Sequence, residues 1–294
     1  MRLHDYLRRV GVDEGLPPTA DTLRRLHVAH REAFLFDNVA IQTGGTISVA
    51  LDAIERKFID EGRGGYCFEH NTLFGGVLRD LGFQPVTLLG RVRRGPPERW
   101  ARTHMVLKVP ADGEVWLADV GFGGMGLMEP IPLRDGTVAE QADLTYVLRR
   151  EGPALREPQG RPEHDRRAAE AGHYSSGLWV LAMRDPAQTH QHHANGGTAM
   201  MDLYEFSEDP QTAGDVEVAN HFTSTHPDSV FRRTLTIQRS TREGRVILRG
   251  DTLTRYTDGR AIDEPVARER LRDVARELFG VELPATPLIS ERQG

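Results

Sequence analysis

The stretch "THMVLKVPADGEVWLADVGFGG", Thr103 to Gly124, constrains this chain more than any other, because it fixes a backbone register by itself. Alternating runs flank Asp112-Gly113, and an Asp-Gly pair in that setting is the strongest short-range signal of a two-residue type I′ hairpin. With Ala111 paired to Glu114, Val106 faces Asp119 and His104 faces Gly121. His104 and Asp119 then become diagonal neighbours on one face, about 7–8 Å apart at Cα and within side-chain reach of a hydrogen bond. A slip of one residue would send them to opposite faces. The hairpin therefore predicts a His–Asp couple.

At 294 residues the chain exceeds what one core usually organises, so two or three subdomains are expected. The first third has helical spacing. "PTADTLRRLHVAHREAF" offers an N-cap at Thr19 or Asp21, with Leu23, Leu26 and Phe34 on one side. "LDAIERKFID" and "CFEHNTLFGGVLRDLGF" repeat apolar residues at three- and four-residue intervals. From Gln84 the period changes to short β-rich runs separated by Gly, Pro and Asp, as in an antiparallel barrel. The segments 151–172 and 188–201 interrupt these runs as polar insertions. "RTLTIQRS", "GRVILRG" and "DTLTRYTDG" give later strands, and "DEPVARERLRDVARELFG" a helix with Asp263 as N-cap and Gly280 at its stop. The expected class is α+β: a helical bundle over 1–84, an antiparallel β-barrel over 85–200 and an α/β lid over 201–294.

Several function classes are excluded on sequence. The net charge is −6, and the Arg-rich run Arg91 to Arg102 is broken by Gly95-Pro96-Pro97, so a nucleic-acid partner is not expected. No window approaches a membrane span, the N-terminus lacks the apolar run of a signal peptide, and a soluble protein with a cytoplasmic address is expected. No zinc signature and no phosphate-binding glycine loop with its Lys is present, so no metal is expected. "THQHH", Thr189 to His193, reads as a polar loop rather than a metal site.

Cys67 is the only cysteine, so it cannot close an internal disulfide. Gly64 and Gly65 precede it and an amphipathic helix starts at or just after it. A thiol there sits at the positive end of the helix dipole, beside free backbone N–H groups that favour a thiolate and can hold an oxyanion. Two readings stand: a small buried hydrophobe, or a nucleophile served by the His–Asp couple. Of the 12 histidines, His70 has no evident carboxylate and reads as packing or capping.

Four segments, "RGGYCFEHN", "THMVLKV", "DVGFGG" and "VANHFTSTHPDSVF", give the chain a resemblance to the arylamine N-acetyltransferases that extends over nearly its whole length. The resemblance implies a helical bundle and barrel sharing a cysteine-protease-like core under an α/β lid. It makes Cys67 the acyl-accepting nucleophile, His104 its base and Asp119 the orienting carboxylate. It further implies acetyl-coenzyme A as co-substrate with no permanently bound cofactor, small aromatic amines or hydrazines as acceptors, ping-pong kinetics, and a place in xenobiotic metabolism. Phe36, Phe122 and Phe222 would wall the acceptor pocket, and Gly123, Gly124, Phe222, Thr223 and Ser224 would lie near coenzyme A. The protein would be a monomer or homo-oligomer. Asp37 departs from the family's usual Glu. A macrolactam-forming amide synthase on the same fold is the alternative within the family; a cysteine peptidase or transglutaminase-like enzyme, or a non-catalytic binding protein, are the alternatives outside it.

Overall fold

The computed structural model describes residues 1–152, 177–184, 200–257 and 260–292. Most of both polar insertions, and the "THQHH" run with them, lie outside the described residues.

The helices form where apolar spacing requires them. Ala20–Ala33 starts at Thr19, whose side chain accepts the Thr22 N–H at 3.3 Å, so Thr19 rather than Asp21 caps it. Cys67–Asp80 follows, with Leu73, Phe74, Val77 and Leu78 fully buried. Each such side chain contributes about 1.5–3 kcal/mol by leaving water. These two helices pack with Leu3–Val10 and with Leu51–Glu55, which continues as a π-helical turn through Asp60.

The second unit is an eight-stranded antiparallel sheet. Its strand order is Ile131–Pro132, Glu114–Ala118, Arg102–Ala111, Val86–Val92, Met201–Phe206, Leu178–Arg184, Leu144–Glu151 and Thr137–Gln141. The two edge strands adjoin each other in the chain, so the sheet nearly closes into a barrel. Its central hairpin has the expected register, with Ala111 opposite Glu114 and Leu107 opposite Ala118. Asp112 at φ 50° and Gly113 at φ 76° are both left-handed, as a type I′ turn demands. Alternation then divides the hairpin between two cores. Val106 and Leu117 point into the barrel, while Met105, Leu107, Val109 and Trp116 pack on the helices.

The third unit is a five-stranded sheet of Thr236–Thr241, Gly244–Arg249, Thr252–Thr257 and Arg260–Pro265, completed at one edge by Phe36–Asp37 from the N-terminal region. The helix Leu271–Phe279 covers it, burying Leu271, Ala275 and Phe279.

Three sequence expectations need correction. Met201–Phe206 pairs with Val86–Val92 and Leu178–Arg184, so the barrel runs to Phe206 and the lid does not begin at 201. Residues 260–265 form a strand, and Asp263 caps no helix; its carboxylate accepts the Thr254 hydroxyl at 2.6 Å across the hairpin. The last helix therefore starts at Leu271, with Gly280 left-handed at its end, as expected.

Candidate active site

Cys67 is the first residue of its helix, and the N–H of Tyr66 just before it donates to Glu69 Oε2 at 3.2 Å. That contact, with Lys57 Nζ 2.6 Å from Glu69 Oε1, fixes how the chain enters the helix. Cys67 is 3% exposed. Its sulfur lies 3.6 Å from the Thr103 carbonyl oxygen, to which the neutral thiol donates. Burial pushes the thiol up from its ordinary value and the Asp119 charge adds to this, while the N–H groups of Met105 and Phe68 pull the other way. Burial thus opposes the help that the helix start gives to a thiolate. A thiolate needs an imidazole that takes its proton.

The candidate for that is His104, next in the chain to Thr103. It shares the barrel-facing side of its strand with Val106, and its Nε2–H donates to Asp119 Oδ2 at 2.8 Å. Nδ1 is thus the nitrogen left to accept a proton. Burial alone would push the Asp119 carboxyl up, but His104, the Asn71 amide and the Gly121 N–H outweigh it and hold it at about 2. The His–Asp couple required by the hairpin register is present.

Close approach brings the Asp119 segment against the Cys67 helix. A Cβ at Gly121 would lie 2.8 Å from Cys67 Cα and 2.6 Å from Asn71 Nδ2, so only glycine lets these backbones meet. Asn71, four residues after Cys67 and so on its face of the helix, donates to Met105 O at 2.7 Å and to Asp119 Oδ1 at 3.1 Å, and accepts the Val120 N–H. His27 Nε2 accepts the Asp119 N–H at 3.1 Å, while Nδ1–H donates to Met128 O at 2.9 Å. That arrangement requires a neutral ring, and burial holds His27 down at about 4. Tyr204 packs on His104 with ring centroids 4.7 Å apart, and its buried hydroxyl faces the field of Asp119 without closing a hydrogen bond.

Sequence reasoning missed Asn71, His27 and Tyr204. Only Asn71 had a signal, its four-residue offset from Cys67. His70, read as packing, is the middle of a buried chain. Because Leu35 O can only accept, His70 Nε2–H donates to it, His30 Nε2–H donates to His70 Nδ1 at 2.8 Å, and Tyr6 O–H donates to His30 Nδ1 at 2.9 Å.

The expected pocket residues divide. Phe122 packs edge-on to His104 at 5.0 Å, and Phe36 stacks on His70 and lies against Gly123. Phe222 does not join them: its ring is 40% exposed and stacks on His226. The Thr223 and Ser224 hydroxyls donate to the carbonyls of Ala219 and Asn220 in their own helix, and the Gly124 N–H is taken by Gln238 Oε1. Those donors are not open to a ligand here. The same helix, Ala213–Thr225, reaches the site through Asn220, which accepts the Tyr66 hydroxyl beside Cys67. Among the described residues no cluster of metal-binding side chains forms.

Comparison with known proteins sets the class first: the family model described as N-acetyltransferase matches residues 19–288. An arylamine N-acetyltransferase of Mycolicibacterium smegmatis is 34% identical over 266 residues, covering 88% of this chain and 84% of that protein. One of Salmonella typhimurium, described also as an N-hydroxyarylamine O-acetyltransferase, is 32% identical over 89% of this chain and 82% of its own. The crystal structure of the Nocardia farcinica enzyme superposes with a TM-score of 0.80 at 32% identity, over 97% of this chain and 90% of that one. That of the Mycobacterium marinum enzyme in complex with CoA gives 0.78 at 31%, over 95% and 92%. The chain belongs to the arylamine N-acetyltransferase family, and is thus an acyltransferase.

Proposed function

We propose that the protein moves an acetyl group from acetyl-coenzyme A to an arylamine or arylhydrazine through a thioester on Cys67. The observation that supports this reading is the His104–Asp119 contact, with the carbonyl of the preceding residue, Thr103, against the Cys67 thiol. The thiol proton passes to His104 Nδ1 as sulfur attacks the acetyl carbonyl, and Asp119 stabilises the imidazolium. The first-turn N–H groups of the Cys67 helix are the candidate donors to the oxyanion. Coenzyme A leaves as a thiol with the proton from His104. The amine then attacks the thioester, His104 takes its proton, and Cys67 is released as a thiol. No net charge is created and no ATP is needed.

Phe36 and Phe122 are proposed as walls for a flat aromatic acceptor, whose weakly basic nitrogen is neutral and nucleophilic at pH 7. The complex of the M. marinum relative with CoA supports coenzyme A as the donor's carrier. Gly123 and the exposed face of Phe222 are proposed as its nearest contacts here, with Thr223 and Ser224 offering lone pairs only. Release of free coenzyme A thiol from acetyl-coenzyme A should depend on added arylamine. Double-reciprocal plots against both substrates should be parallel; intersecting lines would contradict the two-step reading.

A further inference from the structure

Asn220 is buried in the helix Ala213–Thr225, and its amide has one possible orientation. Nδ2–H donates to Ile47 O at 3.0 Å, and a carbonyl can only accept, so Oδ1 is the end turned to Tyr66. The Tyr66 hydroxyl therefore donates to Asn220 Oδ1. The Asn220 main-chain oxygen, 3.4 Å from the same hydroxyl, already accepts from Ser224 Oγ at 2.8 Å. Tyr66 is fully buried, so its hydroxyl would be costly to leave without an acceptor.

Tyr66 is the last residue before the Cys67 helix, and it is held at both ends. Its N–H is on Glu69, and its hydroxyl on a helix 154 positions further along the chain. Between these points its ring packs edge-on to Phe68 at 5.5 Å and to Phe231 at 5.4 Å. Phe231 is itself pinned, because its carbonyl accepts from Asn38 Nδ2 and Gln42 Nε2, both at 2.7 Å. The N–H groups of Cys67 and Phe68 follow directly in the chain, so their direction depends on where Tyr66 is held. Among the described residues the Asn220 side chain bonds only to Tyr66 and Ile47, and its route to the nucleophile is the Tyr66 hydroxyl.

We propose that Asn220 is a positioning residue for acyl transfer: through the Tyr66 hydroxyl it holds the start of the Cys67 helix so that the first-turn N–H groups point at the oxyanion. The inference rests on Cys67 being the acyl acceptor. It separates two reactions of the same thiol. Attack on an acetyl carbonyl develops an oxyanion and needs those donors, whereas displacement of iodide from iodoacetamide develops none.

The test uses the whole protein and two acetyl donors, acetyl-coenzyme A and p-nitrophenyl acetate, which carries the acetyl group without coenzyme A. Acetylation of Cys67 is followed by mass spectrometry in a single turnover. Tyr66→Phe and Asn220→Ala should each slow it by at least about fivefold with both donors, while alkylation by iodoacetamide at the same pH stays within about twofold of the parent. The double variant should be within about twofold of the slower single variant, because both changes break one hydrogen bond. Tyr66→Phe keeps the ring and serves if Asn220→Ala does not fold. Parental acetylation in either folded variant would overturn the proposal while leaving the thioester on Cys67 intact. A loss confined to acetyl-coenzyme A would make Asn220 a coenzyme contact instead, and a matching change in alkylation would make it merely structural; either result overturns the proposal. Losses that multiply in the double variant would show that Asn220 does not act through Tyr66. No acetyl group on the parent's Cys67 from either donor would refute the thioester reading itself, and this inference with it.

Discussion

His104 Nε2 and Asp119 Oδ2 lie 2.8 Å apart, with Oδ1 of the same carboxylate on Asn71 at 3.1 Å, so the acid is held at both oxygens and the imidazole has one free nitrogen. Asp119→Asn removes the charge that stabilises the imidazolium and allows the ring to take the wrong tautomer. Acetyl transfer should fall by about 10³-fold or more in a folded protein. Turnover within about threefold of the parent would contradict the role given to this pair.

The thiol of Cys67 should depend on His104 for its ionisation. Burial and the Asp119 charge push it up, the Met105 and Phe68 N–H groups offset this in part, and proton transfer to the imidazole is needed for the rest. In the parent, alkylation by iodoacetamide should have a midpoint below the ordinary value of about 8.5. In His104→Gln the midpoint should rise above that value. Equal midpoints for the two proteins would show that His104 does not receive the proton.

Much of this arrangement is legible in the order of the amino acids, because it follows from local rules. The Asp112-Gly113 turn decides which residues face each other, Thr19 and Gly280 mark helix ends, and the glycines before Cys67 mark a helix start. The parts that are not legible depend on distant packing. His27 reaches Asp119 from 92 positions away and His30 meets His70 across 40, so neither contact has a periodic signal. "MDLYEF" is rich in strand-forming residues, but they do not say which sheet receives it. Asp263 resembles a cap because Asp before an apolar run favours both caps and turns. The helix start at Cys67 can be read from the sequence, while the burial that opposes its charge cannot.

Gly121→Ala should separate the Asp119 segment from the Cys67 helix. Its Cβ would sit 2.8 Å from Cys67 Cα, and backbone cannot yield as a flexible side chain does. A stability loss of about 1–3 kcal/mol by urea denaturation and at least about tenfold lower acetyl transfer are expected. An alanine variant with parental turnover would mean that this contact does not set the geometry.

Acidification should destabilise the fold below about pH 6.5. His27 is held down at about 4 and His70 at about 3, first by burial, and His30 is lowered by the same cause. Their unfolded values are near 6.5, so the unfolded chain binds more protons between these limits and stability falls as pH falls. Asp37 and Glu69, raised by burial, oppose this in part. Urea unfolding should lose at least about 2 kcal/mol from pH 6.5 to 5. Constant or rising stability over that interval would show that these rings accept protons in the folded state.

The most direct measurement is mass spectrometry of the protein mixed with acetyl-coenzyme A and no acceptor. A single added acetyl group should appear on the peptide carrying Cys67, protect that thiol from iodoacetamide, and disappear when an arylamine is supplied. Cys67→Ser should show neither the adduct nor significant turnover. No acetyl group on Cys67 during turnover, or an active Cys67→Ala protein, would contradict the account.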